Sequence, residues 1–126
     1  MDILVLIGRI LYGGVFVVLA LGNFVKLDEK TAVAKSKRVP AARLSVITAS
    51  ILAILGGLSI VLGYQIQIGV ALLVLFLIPA SLMIHNFWSV EDPAAKQFDM
   101  INFLKNMALM GAALMFLALP QPWSLS

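Results

Sequence analysis

The chain contains one histidine, His85, set in the stretch SLMIHNFWSV beside Asn86 and Trp88. An imidazole exchanges protons near neutral pH, with an ordinary pKa of about 6.5. A carboxamide both donates and accepts hydrogen bonds, and an indole adds a flat apolar wall. Further along, Asn102, Lys105 and Asn106 fall at i, i+3 and i+4 and so share one face of a helix. Asn23 and Lys26 close an earlier apolar run and complete the set. A proton-exchanging group, several donors and an aromatic plane are what a quinone head group needs around its two carbonyl oxygens. The competing reading is ordinary membrane-edge chemistry: Trp88 in an interfacial belt, Lys105 snorkelling, His85 and the asparagines facing head groups and water. Spacing alone leaves both readings open.

Other chemistries are poorly served. The absence of cysteine removes disulfides, thiolate nucleophiles and iron–sulfur ligation together. One histidine cannot supply a bis-histidine haem, and pairing it with one of six methionines would be arbitrary. Asp92 and Asp99 lie near His85, but no helical spacing joins them to it as metal ligands. Met107, Met110 and Met115 read as core filler. No haem, no metal and no catalytic residue is predicted. A redox role would use a quinone or a partner subunit.

These residues need elements to hold them, and composition says which. Of 126 residues 62% are hydrophobic and 12% charged, against roughly 25% charged in a soluble domain. A chain this small cannot hide so much apolar surface from water, so an integral membrane protein is expected. Apolar runs at 3–25, 44–62, 66–84 and 101–119 each approach the ~20 residues that cross a bilayer core. The prediction is all-α, one domain over 1–126, an integral membrane four-helix up-and-down bundle. Gly63-Tyr64-Gln65 is short enough to demand an antiparallel hairpin.

The net charge of +3 is concentrated in KLDEKTAVAKSKRVPAAR, beside the first two runs. That placement argues for membrane orientation rather than nucleic acid. It predicts a prokaryotic plasma membrane with loops 26–43 and 85–100 cytoplasmic and both termini outside. Asp28 is expected to cap a short surface helix running through Lys37 and ended at Val39-Pro40. Ala32-Val33-Ala34 has the form of a leader cleavage site, but the amino end lacks a basic region and its apolar stretch is too long, so the first span is expected to stay.

Within the spans, small residues at intervals of four mark contact faces: Ala49, Ala53 and Gly57 in the second, Ala108 and Ala112 in the fourth, with Gly8, Gly13, Gly14 and Gly22 in the first. Pro79 is expected to kink the third and to free a carbonyl near Leu75. Arg9, two turns into the first span, is expected either to snorkel outward or pair with a helix end, or to bind inside the bundle.

At this point the residues resemble a known family. LIGRILYGGVFVVLALGNFVKL, the Val39-Pro40 entry, ILGGLSIVLG, IHNFWSVEDP and FLKNMALMGAAL are similar to the DoxX family of small four-helix membrane proteins, over nearly the whole chain from about Gly8 to Trp123. The family is named for small membrane subunits of an archaeal thiosulfate:quinone oxidoreductase. Relatives are associated with quinone or catechol stress in bacilli and with a mycobacterial oxidoreductase assembly. Many relatives carry an acidic residue shortly before the glycine pair; SILAILGG has none, so a proton role for that acid does not transfer. Arg9, Asn23, Lys26, His85 to Trp88, Lys105 and Asn106 match position by position.

Two functions follow as expectations. In one, the protein binds a quinone or similar lipophilic molecule at the cytoplasmic bundle end, in a redox or oxidative-stress pathway. His85, Asn86, Trp88, Lys105, Asn106, Asn23 and Lys26 then form the ligand site, and Arg9 is a separate polar group on the outer side. In the other, it is a non-catalytic accessory subunit within a larger membrane complex. Expected partners are membrane lipids and a larger complex or a homo-oligomer, not nucleic acid. A transporter is disfavoured, because no charged midplane marks a pathway.

Overall fold

A computed structural model describes residues 3–119. Every regular element among the described residues is helical, with no strand. Helix α1 spans Ile3–Val25, α2 Leu27–Ser36, α3 Ala42–Leu62, α4 Ile66–Pro79 and α5 Pro93–Phe116. A π-helical turn, Ala80–Ile84, carries α4 onward, and a short 3-10 turn, Phe87–Ser89, follows.

Three segments are long and apolar enough to cross a membrane: Ile3–Val25, Ala42–Leu62 and the run Ile66–Ser89. Their large side chains point mostly outward; Val18 is 68% exposed and Leu19 64%. In water such a surface would be untenable, whereas lipid tails solvate it. Helix α5 is a further long helix, made more polar by Lys96, Asp99 and Lys105.

Because lipid removes the hydrophobic drive for helix pairing, close packing must do that work. Helix α1 lies along α3 with the backbones nearly touching. A Cβ added at Gly13 would stand 2.4 Å from the Gly57 carbonyl oxygen, and one at Gly57 would stand 2.6 Å from that of Gly13. Gly56 takes the Leu73 side chain of α4, and Gly69 takes Ser59 of α3. Gly63, with φ of 69°, caps α3 in the left-handed region and turns the chain into α4. The core between these helices gathers Phe16, Ala20, Ala53, Ile60, Val70, Leu73, Leu77 and Ala113. Helix α5 joins through α4 and through Tyr12 of α1, whose hydroxyl donates to the Leu109 carbonyl while its ring meets Phe116 edge-on at 4.8 Å.

Three local expectations need revision. Asp28 does not cap α2: Lys26 holds that position without a side-chain bond, and Asp28, exposed, accepts from Arg43 at 3.1 Å instead. Helix α2 ends at Ser36, and the chain turns into α3 through Arg38 and Ala41, both at positive φ. The last helix starts at Pro93, eight residues before the apolar run at 101. Asp92 accepts from the Ala95 amide at 2.9 Å, and Pro93 occupies a first-turn position where its missing N–H costs nothing. That polar first stretch carries Asp99 on a helix rather than in a loop.

Past Pro79, the His85 amide reaches back five residues to the Ala80 carbonyl at 3.1 Å. The wider turn swings the chain out of α4 and delivers His85 and Asn86 toward α5.

Candidate functional site

Asp99, in the first half of α5, is buried at 7% exposure. A lone buried carboxylate would be strongly disfavoured, and it is met from two sides. Lys37, the residue after α2, donates through Nζ to Asp99 Oδ2 at 2.9 Å. Nδ1 of His85 lies 3.2 Å from the other oxygen, Oδ1. Lys37 Nζ also donates to Asn86 Oδ1 at 2.9 Å. Four side chains from three separate elements thus close one network at the end of the molecule where α2 lies. Burial alone would raise the Asp99 carboxyl, but the hydrogen bonds from Lys37 and His85, with their charges, outweigh it and hold it below its ordinary value.

Beside the network stands an aromatic wall. Phe87, Trp88 and Phe103 of α5 meet pairwise edge to face, with centroids 5.3, 5.5 and 5.6 Å apart. Trp88 is half exposed and so offers a ring face to whatever lies outside. The predicted residues therefore separate into groups. His85 and Asn86 are brought together, and Trp88 adjoins them. Asn23 turns away to donate to the buried Ser50 hydroxyl at 3.1 Å. Lys26, at the start of α2, is exposed. Lys105 is exposed and Asn106 half-buried on α5, and neither forms a hydrogen bond to the network among the described residues.

Sequence reasoning missed Lys37 as a site residue and set Asp99 aside. A signal for Asp99 was available: Asp92-Pro93 starts a helix, and Asp99, Asn102 and Asn106 then fall at i, i+3 and i+7 on one face. No comparable signal singled out Lys37 among six basic residues in its loop.

Arg9 occupies a different environment at the other end of α3. It is 2% exposed. Its Nε donates to the Ile60 carbonyl at 3.2 Å and Nη2 to that of Val61 at 3.0 Å. These carbonyls belong to the last turn of α3, which lacks intrahelical donors and carries the negative end of the helix dipole. Arg9 is thus buried and bonded to the carboxyl end of α3. Two recesses lie apart from His85. One, about 330 Å³ and almost wholly apolar, runs along α1 past Gly8, Tyr12, Phe16 and Leu19 to Leu109. The other, about 380 Å³, sits at the α1–α2 joint around Lys26, Asp28 and Arg43.

The DoxX family model matches residues 4–86, about two thirds of the chain. The chain belongs to the DoxX family. The match takes in α1 to α4 and ends on His85-Asn86, so the wall and every α5 residue of the network lie beyond it. Neither the curated proteins nor the solved structures yield a match. Membership of DoxX, with three apolar spans, makes this a membrane protein.

Proposed function

We propose that this DoxX protein binds a quinone or a similar lipophilic molecule at the end where His85 lies, in a redox or oxidative-stress pathway. The observation that carries the reading is the half-buried His85, one ring nitrogen committed to a buried carboxylate, beside the aromatic wall of Phe87, Trp88 and Phe103. These residues fit a head group: a ring nitrogen and the Asn86 amide for its oxygens, and Trp88 for its plane. A bound quinone would supply two-electron chemistry, with electrons from a partner or a soluble reductant. The chain's own part is to hold and orient the ring and to handle a proton at His85. Lys105, Asn106, Asn23 and Lys26 would contribute from farther out.

In this reading α5 is the fourth span, crossing from about residue 101, and the helices form an up-and-down bundle in a prokaryotic plasma membrane. The basic residues Lys26, Lys30, Lys35, Lys37, Arg38 and Arg43 lie at the His85 end, which supports a cytoplasmic assignment for that end and an outer one for both termini. Quinone binding by purified protein tests the site. For the redox form, quinone or hydroquinone, whose oxygen His85 bonds, His85→Ala should weaken binding about tenfold, the worth of one buried hydrogen bond; undiminished affinity for both forms would sink the assignment.

A second reading, an accessory subunit of a larger membrane complex, is favoured by one observation. Gly8, Gly14 and Gly22 of α1 have nothing within 4 Å of an added Cβ, so among the described residues these small positions meet no neighbouring helix. Mild extraction followed by native mass analysis discriminates: a subunit co-purifies in fixed stoichiometry, a lone binder does not.

A further inference from the structure

The network around Asp99 restricts the histidine more than its distances alone suggest. Asp99 Oδ2 is taken by an ammonium group, Lys37 Nζ, at 2.9 Å. A carboxylate so paired is ionised, and an ionised carboxylate only accepts hydrogen bonds. Whatever faces Oδ1 must therefore donate. His85 Nδ1 is the atom there, at 3.2 Å, so the proton of the neutral ring belongs on Nδ1. Nε2, the atom across the ring, is then left without a proton and carries a lone pair. Asn86 enters the network through its Oδ1, which accepts from Lys37.

We infer that Asp99 is a positioning residue that fixes His85 as the Nδ1–H tautomer, so that Nε2 is the acceptor offered to a ligand. The inference deepens the lipophilic-ligand reading and rests on it for one consequence, the form of ligand preferred. A lone pair at Nε2 matches a hydroxyl donor and opposes a carbonyl oxygen. The site is accordingly selective for the reduced, hydroxyl-bearing state of a quinone-like ring. Two lone pairs facing each other leave the oxidised state without its hydrogen bond. Recognition of this kind involves binding alone, with no bond made or broken. Lys37 supports it indirectly, by keeping Asp99 ionised and in place.

Because His85 is the only histidine, labelling histidine with nitrogen-15 in the full chain in lipid nanodiscs reports one ring with no overlap. Once the pH is raised until the ring is neutral, the nitrogen shifts should show a protonated Nδ1 and a bare Nε2. An Nε2–H ring in the wild type would overturn the inference without any variant. In Asp99→Ala the preference should vanish, and in Asp99→Asn, whose amide oxygen can still accept, it should largely return. Retention of the Nδ1–H form in a folded Asp99→Ala protein also overturns it. A short-chain benzoquinone and its hydroquinone then probe selectivity. The hydroquinone should bind about tenfold more tightly, as one hydrogen bond implies, and Asp99→Ala should level the two; equal affinities in the wild type would refute the selectivity. If neither compound binds while the tautomer is as stated, the functional proposal falls and the positioning role of Asp99 stands.

Discussion

Two buried charges, one near each end of α3, are handled in opposite ways. Arg9 is met by backbone carbonyls of Ile60 and Val61, whereas Asp99 is met by the side chains of Lys37 and His85. Carbonyls neither titrate nor move independently of their helix, so the Arg9 contact is a clamp between α1 and the α3–α4 hairpin. The groups around Asp99 are side chains on separate elements, and one of them, His85, keeps part of its ring exposed. Burial of a charge is common to both; the second arrangement is the one that joins an imidazole to it.

The comparison breaks first at Lys37. Lys37→Met leaves the buried Asp99 carboxylate without its ammonium partner, with His85 alone still facing it, and should cost about 3 kcal/mol. Adding Asp99→Leu should recover much of that, since replacing a buried pair is cheaper than breaking it. Thermal unfolding in detergent checks both, and a double variant no better than the single would dissolve the network as described. Arg9→Met comes next. It orphans carbonyls that are already at a helix end, for about 2 kcal/mol, and should leave ligand affinity unchanged at a temperature where the protein is folded. A change in affinity there would erase the distinction between clamp and site.

Acid should separate the two ends more gently. The Asp99 carboxyl is held below its ordinary value, so its contribution is fully present above the unfolded pKa of about 3.9 and is lost as pH falls through the lower folded value. The stability advantage of wild type over Asp99→Asn should thus shrink below about pH 4. Arg9→Met, which leaves Lys37, His85 and Asp99 in place, should keep that acid-dependent loss. The smallest effect belongs to Lys105→Ala, exposed and outside the network, with a stability change within about 0.5 kcal/mol; a larger one would mean that α5 sits closer to the network than its exposure indicates.

Much of the scaffold was legible because lipid imposes few solutions. Apolar runs of about 20 residues must be helices to satisfy their backbones, and α1, α3 and α4 fall where those runs do. The start of α5 was misplaced because the apolar run marks where hydrocarbon contact begins, not where helical hydrogen bonds begin. Asp92-Pro93 carried that second signal. His85, Asn86 and Trp88 could be picked out as unusual residue types ending an apolar run. Asn23 and Lys105 had equal claims by type, and only their surroundings tell them apart: Asn23 is engaged by Ser50 and Lys105 stands exposed.

By itself, the order of apolar and polar residues determined that this protein is helical, belongs in a membrane and carries its rare polar chemistry near helix ends, because transfer into lipid depends on local composition. Tertiary structure alone decided that His85 answers to Asp99, 14 residues on, and that Asp99 in turn answers to Lys37, 62 residues back. The reason is that partner choice for a buried charge depends on which side chains the packed helices bring within about 3 Å, and the crossing of α2, the π-turn and α5 is written in no single stretch of the chain.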